Sequence, residues 1–139
     1  MSALIVAAVL AFAPQQNPPV AETGRACAPK DAAAAVACLD QHLTPAAKTR
    51  IAATPAKNMT IERLALGAWV RNNWGLWSNG PLAVFFITKG VLAPEPMSDR
   101  VIDGYWLKAH GCALDWNDLP KVSAAMALAN ADRPPCPAA

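Results

Sequence analysis

Charge is scarce in this chain. Asp, Glu, Lys and Arg supply 16% of its 139 residues, and the twelve basic and ten acidic side chains are scattered, leaving a net charge of +2. No run of Lys or Arg could track a phosphate backbone, so nucleic acid is not an expected partner. Histidine occurs only twice, at His42 and His110, and neither stands at an obvious ligand spacing from a pair of cysteines. There is no C-x-x-C, which excludes the common dithiol redox motif and argues against a structural zinc site. There is no G-x-S-x-G, H-E-x-x-H or P-loop, so no familiar nucleophile, zincin or phosphate-binding signature is present. The expectation is no metal and no cofactor. Nor is there an internal repeat.

What the chain does have is apolar residues (54%), thirteen prolines and four cysteines. A chain of this length and composition describes one small domain with one core. The prolines cut it into short segments, and the alanines between them favour helix over strand.

Ser2 to Ala13 is an uncharged apolar run. It matches the hydrophobic region of an export signal and is too short to span a bilayer as a helix. No Lys or Arg precedes it, and its Ala11-Phe12-Ala13 cleavage pattern is followed by Pro14. The rival assignment is a buried N-terminal helix, against which the polar, Pro-rich stretch after the run reads as a spacer. Residues 1–26 are therefore expected to be signal and spacer, and 27–139 a single helical domain. The protein is expected to be periplasmic or secreted, with no transmembrane span after signal cleavage.

Cys27, Cys38, Cys112 and Cys136 agree with export, being even in number and beyond the signal. Four cysteines admit three connectivities, and Cys27–Cys38 with Cys112–Cys136 close the shortest loops.

Helix signals follow one another along the chain. Asp31 to Leu43 places Ala35, Cys38, Leu39 and His42 at helical spacing, and Thr44-Pro45 caps and starts a second helix to Ala53. Asn58 or Thr60 is expected to cap a third helix that runs to about Trp74 and closes at Gly75, with Glu62 in its first turn. Pro81 opens a fourth, to Lys89, although Val84 to Thr88 has strand propensity. Pro94 and Pro96 predict an extended connector from Val91 to Met97, after which Ser98 caps a fifth helix ending near Gly111. A sixth runs from about Asp118 to Ala131. The fold class is all-α, a compact bundle of five to six short helices braced by disulfides, with the third helix at its centre.

That third helix is the most distinctive stretch. Within Leu64 to Trp77 it carries Trp69, Trp74 and Trp77, each a large apolar surface with one N–H donor, beside Arg71, Asn72 and Asn73. The run RNNWGLW at Arg71 to Trp77, followed by PEPMS at Pro94 to Ser98 and IDGYW at Ile102 to Trp106, resembles a family of small bacterial domains of unknown function. That family has a similar arginine–asparagine–tryptophan–glycine–leucine–tryptophan block, then a proline–acidic–acidic–methionine–serine block and a helix ending in aromatics. The likeness covers roughly residues 59 to 111, and this chain departs from it at Pro96. It implies a helical fold with shared core contacts around Trp69, Gly75, Met97, Ser98, Asp99, Tyr105 and Trp106. It implies no activity.

Two roles for the motif compete. In the structural one, Asn72 or Asn73 satisfies backbone groups of the Val91–Met97 connector, and Arg71 pairs with Glu95, Asp99 or Asp103. In the functional one, Arg71, Asn72, Asn73, Trp74 and Trp77 form a binding surface for a carboxylate or a sugar ring, such as a peptidoglycan fragment. Tryptophans at helical spacing in a small domain are more often core. A hydrolase using Asp103 and His110, with Asp99 on the same helix, is a weaker alternative because no nucleophile accompanies them. The favoured reading is a non-catalytic binding or interaction module of the cell envelope, with a protein or a cell-wall fragment as partner.

Overall fold

A computed structural model describes residues 18–136. The proposed signal run lies outside the described residues. The α-helices are α1 (Ala32–His42), α2 (Pro45–Ala53), α3 (Thr60–Asn73), α4 (Pro81–Thr88), α5 (Pro94–Ala109) and α6 (Leu119–Asn130). Short 3-10 turns occupy Glu22–Cys27 and Ala56–Asn58, and no strand occurs among the described residues. The fold is all-α, as expected, and Val84 to Thr88 is helical because Pro81 presets its first turn.

Caps fix most of the boundaries. Asp31 Oδ1 accepts from the Ala34 N–H at 2.8 Å, Thr44 Oγ1 from Ala47 at 3.2 Å, and Asp118 Oδ1 from Lys121 at 3.2 Å. Each satisfies an N–H that has no partner within its helix. The cap expected from Asn58 or Thr60 is not made: Met59 precedes α3 and no side chain caps it. Trp74 and Gly75 close that helix, Gly75 in the left-handed region at φ +69°.

A second correction concerns the prolines. The connector is shorter than Val91–Met97, because α5 begins at Pro94 and already includes Pro96 and Ser98. The first-turn N–H groups of a helix have no i−4 acceptor, so prolines at its first and third positions cost no hydrogen bond. Ser98 is consequently a buried helical residue and not a cap.

The centre of the bundle is α5, not α3. Seven consecutive residues, Val101 to Leu107, are buried, which a helix achieves only when neighbours surround it. It packs against α1, α2, α3, α4 and α6. Gly104 allows the close approach of α1, since a Cβ there would stand 3.0 Å from Val36 Cγ2.

Both expected disulfides form, Cys27–Cys38 and Cys112–Cys136. The first ties the Glu22–Cys27 turn to α1, and the second ties the end of α5 to the tail after α6. Packing begins before Cys27 among the described residues: Val20 is buried and forms an antiparallel bridge with Leu43. Asn117 adds a long-range clamp, accepting from the Ala33 N–H and donating to Asp31.

Candidate functional site

The charges of α3 point inward. Glu62, buried, takes two hydrogen bonds from Arg50 of α2, at 2.6 and 3.3 Å. Arg63 holds Asp103 of α5 through Nε at 2.9 Å and Nη2 at 2.8 Å. Arg71 donates from Nη1 to Ser98 Oγ at 2.9 Å, and that hydroxyl donates onward to the Glu95 carbonyl. The partner expected for Arg71 was a carboxylate. The Ser98 hydroxyl takes that place because α5 starts a turn earlier than expected and turns Ser98 toward α3.

Besides the Leu66 and Val70 that it buries in the core, α3 carries a second apolar stripe that points outward. Ile61, Leu64 and Ala65 are exposed, Ala68 is half-buried, and Asn72 is exposed. At 3.6 residues per turn these five lie within an arc of about 100°. Ile61 retains 74% of its accessible surface and Leu64 65%. Leu66 and Val70 face the core in the usual amphipathic way, but the outer face carries apolar side chains where charge would ordinarily meet water. Beside the stripe runs a groove of about 750 Å³, lined by Pro19, Pro45, Ala46, Ile61 and Ala65, with Arg50 and Glu62 on its wall.

The tryptophan motif divides between core and surface. Trp74 is buried; its indole N–H donates to the Gly24 carbonyl at 3.1 Å, and Trp69 meets it edge to face. Trp77 is 60% exposed, and its N–H donates to Asn72 Oδ1 at 3.1 Å. Asn73 donates to the Trp69 carbonyl within its own helix. Neither asparagine bonds the α4–α5 connector, since the connector that was to need them is largely helical. Asn73 and Trp74 border a small cavity of about 190 Å³ together with Arg25 and Gly80, which Arg71, Asn72 and Trp77 do not line.

The residues expected to act as acid and base have separate partners. Asp103 is buried against Arg63, and burial pushes its carboxyl above the ordinary value, with the Arg63 charge opposing the rise. Asp99 is raised too, again chiefly by burial, against the pull of Arg63, Arg71 and Arg100. His110 stacks on Trp106 with ring centroids 3.8 Å apart, and its Nδ1 lies 2.8 Å from the Trp106 carbonyl. The Trp106 indole is engaged with the Thr54 carbonyl, and Tyr105 and Met97 are buried in the core.

His42 has neighbours that its spacing did hint at. One turn separates it from Cys38 on α1, and the ligand atoms of Cys27, Cys38 and His42 all lie within 4.8 Å of one another. That i, i+4 relation was the available signal. For the outward stripe the signal was the recurrence of Ile61, Leu64, Ala65 and Ala68 at helical spacing, overshadowed by the tryptophans.

A family model described as Domain of unknown function (DUF6794) matches residues 28–109, and the chain belongs to that family. No curated protein and no solved structure matches it.

Proposed function

We propose that this member of the DUF6794 family is a non-catalytic interaction module that works outside the cytoplasm and meets a protein partner along the outward face of α3. The observation that carries the reading is the apolar stripe on the solvent face of that helix. Glu62, Arg63 and Arg71 are committed to internal partners, while Ile61 and Leu64 stand in water. Large apolar side chains kept side by side at the surface, next to an apolar groove, lose that exposure when another protein covers them. Two disulfides in a small domain fit an oxidising compartment, and no helix among the described residues is long and apolar enough to cross a membrane.

The test is a photo-crosslinking residue at Leu64 in cells producing the full chain, with a matched probe at the exposed Lys121. A discrete cross-linked protein at Leu64 alone, lost on Ile61→Glu, supports the reading, including when that protein is a second copy of the chain. Equal or absent cross-linking at the two positions rejects it.

A narrower reading rests on Trp77. Its indole is exposed and held in one orientation by Asn72, a geometry suited to stacking on a sugar ring of a cell-wall fragment. Arg71 and Trp74 already have internal partners, so this reading is supported at Trp77 and Asn72 only. Titrating the protein with soluble peptidoglycan fragments while following tryptophan emission tests it, since Trp77→Phe must abolish any response.

A further inference from the structure

The Cys27–Cys38 disulfide has a third ligand-bearing side chain beside it and the Cys112–Cys136 disulfide does not. Among the described residues, Cys27, Cys38 and His42 make the one group of three such residues whose ligand atoms converge, all within 4.8 Å. His110 is only two positions from Cys112, yet it is turned onto Trp106. His42 is positioned rather than loose: Thr23 Oγ1 lies 2.8 Å from its Nδ1, which orients the ring. Metal-ligating histidines are likewise oriented through a hydrogen bond at the second ring nitrogen, ordinarily to a carboxylate, a backbone carbonyl or water. Cys38 is buried, while Cys27 and His42 are half-buried, so the group sits at the edge of the core with a route to solvent.

We infer that Cys27, Cys38 and His42 form a redox-gated metal site, closed while the disulfide is intact and available to a borderline or soft d10 cation, Zn2+ or Cu(I), once it is reduced. Two thiolates and an imidazole are the donor set these cations prefer over hard ones such as Mg2+ or Ca2+. Reduction by a dithiol breaks the S–S bond, delivers two electrons and two protons to the cysteine sulfurs, and leaves the reductant as its own disulfide. Metal binding then displaces the two thiol protons to solvent. Reoxidation by a disulfide oxidant re-forms the S–S bond and releases the cation. Three ligands on one side leave a further coordination position for water or another donor when the cation is Zn2+, and suit a three-coordinate Cu(I) as they stand.

The experiment uses the full chain, reduced and freed of reductant under anaerobic conditions. It is titrated with Co2+ as a spectroscopic stand-in for Zn2+, followed by Zn2+ competition, and separately with Cu(I) buffered by a chromogenic chelator. The expected result is a single equivalent bound by the reduced chain, with thiolate-to-Co2+ charge transfer, and none bound by the oxidised chain. Whichever of Zn2+ and Cu(I) displaces the other at equal free concentration identifies the preferred cation. His42→Ala should weaken binding by more than the roughly 10–100-fold that loss of a supporting partner costs. Its fold is checked in the oxidised form, where the disulfide is intact. A Cys27→Ser/Cys38→Ser variant keeps the second pair and should bind nothing. Equal affinity of parent and His42→Ala, or binding that survives in the Cys27→Ser/Cys38→Ser variant, overturns the inference. If reduction alone costs helical circular dichroism, its recovery on adding Zn2+ or Cu(I) supports the site, and failure of both to restore it overturns it as well.

Discussion

Arg63 of α3 and Asp103 of α5 meet at 2.8 Å with side chains only 24% and 12% exposed, which places an ion pair inside the main helix–helix contact of the domain. Removing one partner of such a pair leaves the other charge without compensation. Arg63→Met should therefore destabilise the protein by roughly 2–4 kcal/mol, below the full cost of breaking a fully buried pair because the guanidinium keeps some contact with water. Urea unfolding measures this. A variant within about 0.5 kcal/mol of the parent would show that the pair contributes nothing net.

The same carboxyl gives a pH signature. Burial raises Asp103 above its ordinary value of 3.8, so the folded state holds this proton to higher pH than the unfolded state does. The stability Asp103 contributes is thus greatest below that value and declines as pH rises through the folded pKa, after which it is constant. Asp103→Asn has no such dependence. The stability of the Asn variant relative to the parent should improve between about pH 4 and pH 7. Thermal melts across that range check the sign, and a relative stability that falls with rising pH would contradict it.

Much of the architecture was legible in local chemistry. Asp31, Thr44-Pro45, Pro81 and Gly75 mark their boundaries because each acts on backbone groups within a turn of itself. Pro94 and Pro96 misled, since a proline that breaks a helix interior is harmless in a first turn, and sequence does not say which turn it occupies. The partners of Arg63 and Arg71 were beyond reach for a related reason: a shift of one turn in α5 exchanges Ser98 for a carboxylate. The depth of Trp74 against the exposure of Trp77 was not readable either. Both follow Val70 at helical spacing, but α3 ends at Asn73, and the turn at Gly75 carries Trp77 outward.

That division of the tryptophans has measurable weight. Trp74→Ala removes a buried ring and strands the Gly24 carbonyl, so it should cost about 3–5 kcal/mol. Trp77→Ala removes an exposed ring and one surface hydrogen bond, and its cost should stay within about 0.5–1 kcal/mol. Chemical denaturation of the two variants distinguishes them, and a Trp77 variant as damaged as the Trp74 one would mean that Trp77 is scaffold.

The two disulfides separate two accounts of how cross-links stabilise this domain. Cys27–Cys38 spans 11 residues and Cys112–Cys136 spans 24. If restriction of the unfolded chain dominates, each contributes roughly 3 kcal/mol, and the longer loop contributes more by only about 0.7 kcal/mol, because the dependence on length is logarithmic. Paired alanine substitutions at either bridge should then both be strongly destabilising, the Cys112→Ala/Cys136→Ala pair slightly more so. Packing pulls the other way. Gly24, whose carbonyl receives the Trp74 indole, also contacts Cys38 Sγ at 3.5 Å, so loss of the first bridge loosens the turn against which Trp74 is buried. A Cys27→Ala/Cys38→Ala variant that unfolds more readily than its counterpart would assign the larger role to native contacts around Trp74, and the opposite order would assign it to chain entropy. Equilibrium unfolding of both variants under identical conditions decides between them.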